Sequence, residues 1–171
     1  MDRSYSVNPD IDQLRGRFMG ELQQLCGGAL EQLRVLPEMT RLAQTPALRR
    51  ALIDYGETTR RQAERLTCLL AGLGQRAPSL PPPAGASRGP AGLSATVETD
   101  AVLIAAVRGW EHHALTRCLL ALNYAQILRE AWAADLLETT LQEEYAADET
   151  LAALPVAAPG VRPPAGAAEA G

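Results

Sequence analysis

Between Ile11 and Leu36 apolar side chains return every three or four residues, through Leu14, Phe18, Leu22, Leu25, Ala29 and Leu33. A period near 3.6 is the signature of a helix that buries one face. A stripe of this length needs partners of similar length, so it commits the chain to packed long helices. A second stripe follows: Leu48, Leu52, Tyr55, Thr59, Gln62, Leu66, Leu69 and Leu73. Asn8-Pro9 and Thr45-Pro46 each set an N-capping side chain before a proline at the first helical position. Gly72 and Gly74 mark the end of the second helix. Pro37 is expected to kink or end the first helix, although Met39 and Leu42 carry its pattern a further turn. Gly27-Gly28 costs roughly 1 kcal/mol per glycine against alanine and is best tolerated where another helix packs closely. The short Thr45-Pro46 connection makes the first two helices an antiparallel hairpin.

Residues 75–98 are rich in Pro, Gly, Ser and Ala, with at most a helical turn around Leu93. A connection this long can run from one end of a bundle to the other. Asp100, with Thr99 as its expected N-cap, opens a third helix through Leu103, Val107, Trp110, Ala114 and Cys118 toward Leu128. No Gly or Pro separates it from a fourth. One helix from 100 to 153 is too long for a compact domain, so a break is expected between Arg129 and Trp132. The expected helices are 9–43, 46–73, 100–128 and 132–153. They make an all-α, antiparallel four-helix bundle spanning 9–154, with a long Pro-rich crossover between two helical hairpins. Residues 1–8 and the Pro/Ala-rich tail 155–171 are expected to be disordered.

Composition narrows the function. Aromatic residues are 4% of the chain, so the core is built from Leu, Ala and Val, which suits close-packed helices better than a β-sandwich. A net charge of −4 and a pI near 5.2 argue against nucleic acid as a partner. All 16 basic residues are Arg; with no Lys there is no P-loop lysine, Schiff-base lysine or lysine base. Cys26, Cys68 and Cys118 are widely spaced inside helical segments and are expected as buried, reduced thiols, with no zinc-ligand spacing. The N-terminus does not read as a signal peptide, and no run approaches the ~20 apolar residues that span a bilayer. The expectation is a cytoplasmic protein without a membrane partner.

Chemistry concentrates on three carboxylates that stand where the stripe calls for apolar residues. The third helix reads Ile104, Val107, Glu111, Ala114, Cys118, and the fourth reads Ala133, Leu137, Leu141, Glu144, Asp148, Leu151. A bundle builds a metal site by turning carboxylates from several helices inward. An uncompensated buried charge costs several kcal/mol, so Glu111 needs a metal, hydrogen bonds from groups such as Gln62 and Thr58, or a proton. Glu144 and Asp148 share a face by their i, i+4 spacing; with Glu143 and Glu149 adjoining, that face is either turned inward or a solvated acidic surface. His112 and His113 point about 100° apart and cannot both face one core site. Neither has a Ser or Cys partner, so no catalytic residues are assigned. Glu57, Arg60, Arg61 and Glu64 read as a solvated charge network, and Trp110 and Trp132 as packing anchors.

The segments LPEM, TPALRRAL, QAERL, WEHH and LLETTLQEEYAADETL resemble the two hairpins of the YciE/YciF-like family of ferritin-like proteins, over roughly residues 20–152. The resemblance implies a ferritin-like fold, a loose association with stress responses and a dimetal centre of about four carboxylates and two histidines. On the first helix the family's glutamate stands at Ala29. On the second its glutamate stands at Thr58, followed by Thr59 and by Gln62 where it has His or Gln; its earlier histidine is Tyr55. Glu111 and His112 match on the third, but the second glutamate of that motif is Ala114. Glu143, Glu144 and Asp148 match on the fourth. The acids of the first hairpin are lost and those of the second retained.

Two readings follow. One is a non-catalytic, degenerate ferritin-like protein without a cofactor, acting as a structural, oligomeric or partner-binding protein, for example as a dimer. The other is an iron- or manganese-binding stress protein that uses Glu111, Glu144, Asp148 and Gln62 as metal ligands, with redox or peroxide-related chemistry. A small ligand held in the bundle core is a third possibility.

Overall fold

A computed structural model of the chain describes residues 9–79 and 98–155. Expectations for 1–8, for a turn around Leu93 and for the tail beyond 155 lie outside the described residues. The described residues form four helices: α1 (Pro9–Leu42), α2 (Pro46–Gly72), α3 (Glu98–Leu128) and α4 (Ala131–Ala152). No strand occurs among the described residues.

Each boundary has a local cause. α1 opens at Pro9 with Asp10 and Asp12 in its first turn, where carboxylates favour the helix dipole. It does not end at Pro37. The proline lies on the exposed face, and Met39, two residues on, is fully buried. At α2 the Thr45 hydroxyl accepts from the Leu48 N–H at 3.3 Å, and Pro46 follows as expected. α2 closes with the Gln75 N–H on the Leu70 carbonyl at 2.8 Å and the Gly74 N–H on that of Ala71 at 3.0 Å. Gly74 adopts φ 73°, the left-handed region that glycine enters without a Cβ penalty.

The break between α3 and α4 falls where chain length required it, by the same device. The Glu130 N–H reaches the Ala125 carbonyl at 2.9 Å and the Arg129 N–H that of Gln126 at 3.1 Å. Here the left-handed residue, φ 59°, is Arg129. A side chain in that region costs about 1–2 kcal/mol, and the usual glycine signal is absent.

α3 begins at Glu98, one residue before the expected N-cap at Thr99. Asp100 has another role: its carboxylate accepts the backbone N–H groups of Gln44 at 2.7 Å and Thr45 at 3.0 Å. This contact pins the start of α3 to the α1–α2 corner, at the opposite end of α2 from Gly72. The end of α2 and the start of α3 therefore lie at opposite ends of α2, whose 27 residues rise about 40 Å. α3 is consequently antiparallel to α1, which it packs against, and α4 returns beside α2.

Two apolar clusters fill the bundle. One gathers Phe18, Leu22, Leu69, Leu70, Cys118 and Leu137; the other Met39, Leu48, Leu52, Leu103, Val107 and Leu151. Between them lies a polar layer. Cys26 and Cys118 are buried as expected, but Cys68 is exposed, because its position on α2 turns away from both clusters. Nor do Gly27 and Gly28 mark a helix contact. A Cβ on Gly27 would meet Pro78 at 3.6 Å, and one on Gly28 would meet nothing within 4 Å.

Candidate functional site: a buried carboxylate layer beside an open cleft

The polar layer is made by Tyr55, Thr59 and Gln62 from the first hairpin and Glu111 and Glu144 from the second, all buried. Glu111 is 0% exposed and Glu144 3%. Both Glu111 oxygens and Glu144 Oε2 lack a hydrogen-bond partner among the described residues. The neutral donors nearby are committed elsewhere. The Tyr55 hydroxyl donates to Gln32 Oε1 at 3.1 Å, and the Thr59 hydroxyl to the Tyr55 carbonyl at 2.9 Å. Gln62 alone reaches an acid, donating to Glu144.

The arginines next to this layer are engaged at its edges. Arg108 Nε on α3 donates to Asp148 Oδ1 at 2.8 Å, and Arg65 on α2 holds Glu143 at 3.0 Å and donates to the Thr140 hydroxyl at 3.0 Å. Arg117 on α3 reaches Glu21 on α1 at 2.9 Å. Asp148 is thus half-buried and turned to Arg108, between the two orientations that its spacing left open.

A carboxylate without a partner in the interior holds its proton. Burial, then the charges of Glu144 and Asp148, push the Glu111 carboxyl up to about 8 against a smaller opposing effect of Arg108. Burial pushes Glu144 up to about 7; the hydrogen bond from Gln62 restrains it and Glu143 adds to the rise. Both carboxyls are thus held above the usual carboxylate range, and a charge on Glu144 adds to the rise at Glu111. Burial and the Glu144 charge also push the Cys118 thiol up to about 12, and burial and both acids raise the Tyr55 phenol well above its ordinary range. These groups are protonated and unreactive near neutrality.

A cleft of about 720 Å³ opens between α1 and α3, with Glu144, Gln62 and Thr140 among its lining. It exists because small residues face one another across it: Gly28 and Ala29 on α1, Ala106, Gly109 and Ala114 on α3. Ala29 and Ala114 each present only a methyl group to it. Thr58 lies elsewhere, in a groove with Glu143 between α2 and α4, where its hydroxyl accepts from Arg61 at 3.0 Å. It is no donor to Glu111. His112 and His113 are exposed, with His113 at the cleft mouth. The cleft and the arginine pairs went unread in the sequence. The one available signal was the run of small residues at helical spacing on α3.

A dimetal centre does not fit this donor set. The layer offers two carboxylates and one amide, Asp148 is paired to Arg108, and among the described residues no three of His, Cys, Asp and Glu gather as a ligand group.

Comparison with known proteins agrees with this architecture. The family described as a domain of unknown function, DUF892, matches residues 13–158. Among solved structures, YcfI of Rhodopseudomonas palustris, described provisionally as a structural protein, superposes with a TM-score of 0.73 at 26% identity, covering 86% of this chain and 98% of its own. The Escherichia coli stress protein YciF gives 0.68 at 22% identity, covering 81% and 92%. A protein from Xanthomonas campestris pv. campestris gives 0.70 at 20%, covering 82% and 88%. Among curated proteins no relative matches this sequence.

Proposed function

The chain belongs to the DUF892 family, and from that premise we propose that it is a YciE/YciF-like bundle with a dismantled dimetal site, working without catalysis as a structural, oligomeric or partner-binding protein. The observation that carries this reading is the polar layer. It keeps two buried carboxylates, Glu111 and Glu144, while Ala29 and Ala114 put methyl groups where ligands would be needed. The description of YcfI as a structural protein supports it. So does the surface of α3, where Leu120 and Ile127 are 41% and 59% exposed; seven residues apart, they share a face suited to a second copy or another protein. No helix among the described residues is long and apolar enough to cross a membrane, and a cytoplasmic location suits the reduced thiols.

The unpartnered oxygens of Glu111 and Glu144 favour one alternative, a single iron or manganese ion on Glu111, Glu144 and Gln62. Elemental analysis of protein purified without chelator, before and after incubation with Fe(II) or Mn(II), separates the two. The structural reading expects far less than one metal per chain. Stoichiometric metal that survives dialysis overturns it.

A further inference from the structure

The cleft between α1 and α3 has apolar walls, including Leu25, Val35, Met39 and Leu66, and a floor that includes Glu144 and Gln62. Its volume, about 720 Å³, is in the range of small-molecule sites. The charges around it are not balanced. At the mouth, Arg117 is paired to Glu21, and Glu31 accepts from Arg34. Behind the floor, Arg65 is spent on Glu143 and Thr140. Among the described residues Glu144 is left as the lining acid without a cation: 97% of its surface is removed from solvent, its Oε2 has no partner there, and Gln62 supplies a side-chain hydrogen bond. Trp110, whose ring face attracts cations, lines the same cleft.

We propose that this cleft binds an apolar monoamine, with the ammonium on Glu144 and the hydrocarbon body between α1 and α3. An ammonium brings both elements that the floor lacks, a positive charge and N–H donors. An alcohol brings a donor without the charge, and a carboxylate repeats the charge already present. The hydrocarbon body occupies the space that Ala29 and Ala114 leave. The inference goes beyond the structural reading and shares with it only a metal-free Glu144.

A rigid isosteric set tests it: 1-adamantanemethylammonium, 1-adamantanemethanol and 1-adamantanecarboxylate, titrated into the full chain at about pH 8, where the amine keeps its proton. With Trp132→Phe as the background, Trp110 fluorescence reports from the cleft. The ammonium should bind at least about tenfold tighter than the alcohol, a difference of 1.4 kcal/mol, and the carboxylate weakest. Glu144→Gln should abolish the ammonium preference while the alcohol still binds. Ala114→Leu, which narrows the cleft without touching the floor, should weaken both, so the test survives if the Glu144 variant does not fold. Equal binding of ammonium and alcohol, a preference that persists in Glu144→Gln, binding untouched by Ala114→Leu, or no binding by any of the three overturns the proposal. Metal analysis of the same preparation tells this failure apart from failure of the structural reading.

Discussion

The two hairpins of this bundle treat the same layer of the core in opposite ways. The first brings Ala29, Tyr55, Thr59 and Gln62 to it, all buried and all neutral. The second brings Glu111 and Glu144, buried as deeply but ionisable. A metal-binding bundle of this type draws carboxylates from facing helices, so that each cation is surrounded. Here the acids come from one hairpin alone, and the facing positions are small residues, hydroxyls and an amide. The lesson is that buried acids gathered on one side of a layer behave differently from acids that face one another. With no acid opposite to share a cation, burial pushes the carboxyls up toward their protonated form, and the small residues leave a cleft beside them.

The strongest way to break this asymmetry is to return acids to the cleft walls. Ala29→Glu combined with Ala114→Glu puts two carboxylates beside Glu144 and Gln62, and hard cations favour carboxylate oxygen. We expect Mn(II) affinity to rise at least about a hundredfold, or about 2.7 kcal/mol, measured by calorimetric titration. The metal-free double variant should melt well below the parent, since uncompensated buried charge costs several kcal/mol. Thr58→Glu should not substitute for either change, because Thr58 faces a different groove.

Removing an acid from the second hairpin should show next in size. Glu111 and Glu144 have folded-state values of about 8 and about 7, above the 4.5 of an unperturbed glutamate. The folded chain therefore binds more protons than the unfolded chain between these limits, and stability falls as pH rises. Their contribution is complete below about pH 4.5 and is lost as pH passes through 7 and 8. Glu111→Gln should leave urea-denaturation stability nearly unchanged at pH 5 and raise it by about 2–4 kcal/mol at pH 8.5. A parent protein equally stable at both pH values would contradict the buried, proton-holding layer.

The hairpins also differ in how they are joined and ended. Asp100 ties the second to the corner of the first through two charge-assisted hydrogen bonds. Asp100→Ala should lower stability by about 1–2 kcal/mol and speed amide exchange at Gln44 and Thr45. The smallest effect comes from the helix ends. α2 of the first hairpin closes with glycine in the left-handed position, whereas α3 of the second closes with Arg129. Arg129→Gly should raise stability by about 1 kcal/mol, visible as a higher melting temperature. An equal or lower value would mean that the Arg129 side chain contributes more than its backbone loses.

Several features of the molecule were legible before any coordinates. Periodicity, cap signals and the length limit on a single helix together mark the four helices. Leu22, Phe18, Leu52 and Leu103 could be placed in the core, and Glu111 falls between Val107 and Cys118 on one inward stripe, where it is in fact wholly buried. Such facts depend on neighbours three and four residues apart, which helical geometry brings together whatever the rest of the chain does. The absence of ligand atoms at Ala29 and Ala114 is equally a property of the residues themselves. What tertiary structure decided was pairing across helices. Asp148 goes to Arg108, 40 residues away, and Gln62 serves Glu144 rather than Glu111. Asp100 clamps a corner 55 and 56 residues earlier instead of only opening its own helix. These contacts depend on how each helix is rotated and how far it slides along its neighbours. The i, i+4 pattern carries no information on either quantity, because every residue in it moves together when the helix turns. The cleft has the same origin: small residues on α1 and α3 become a volume only when those two helices are set side by side.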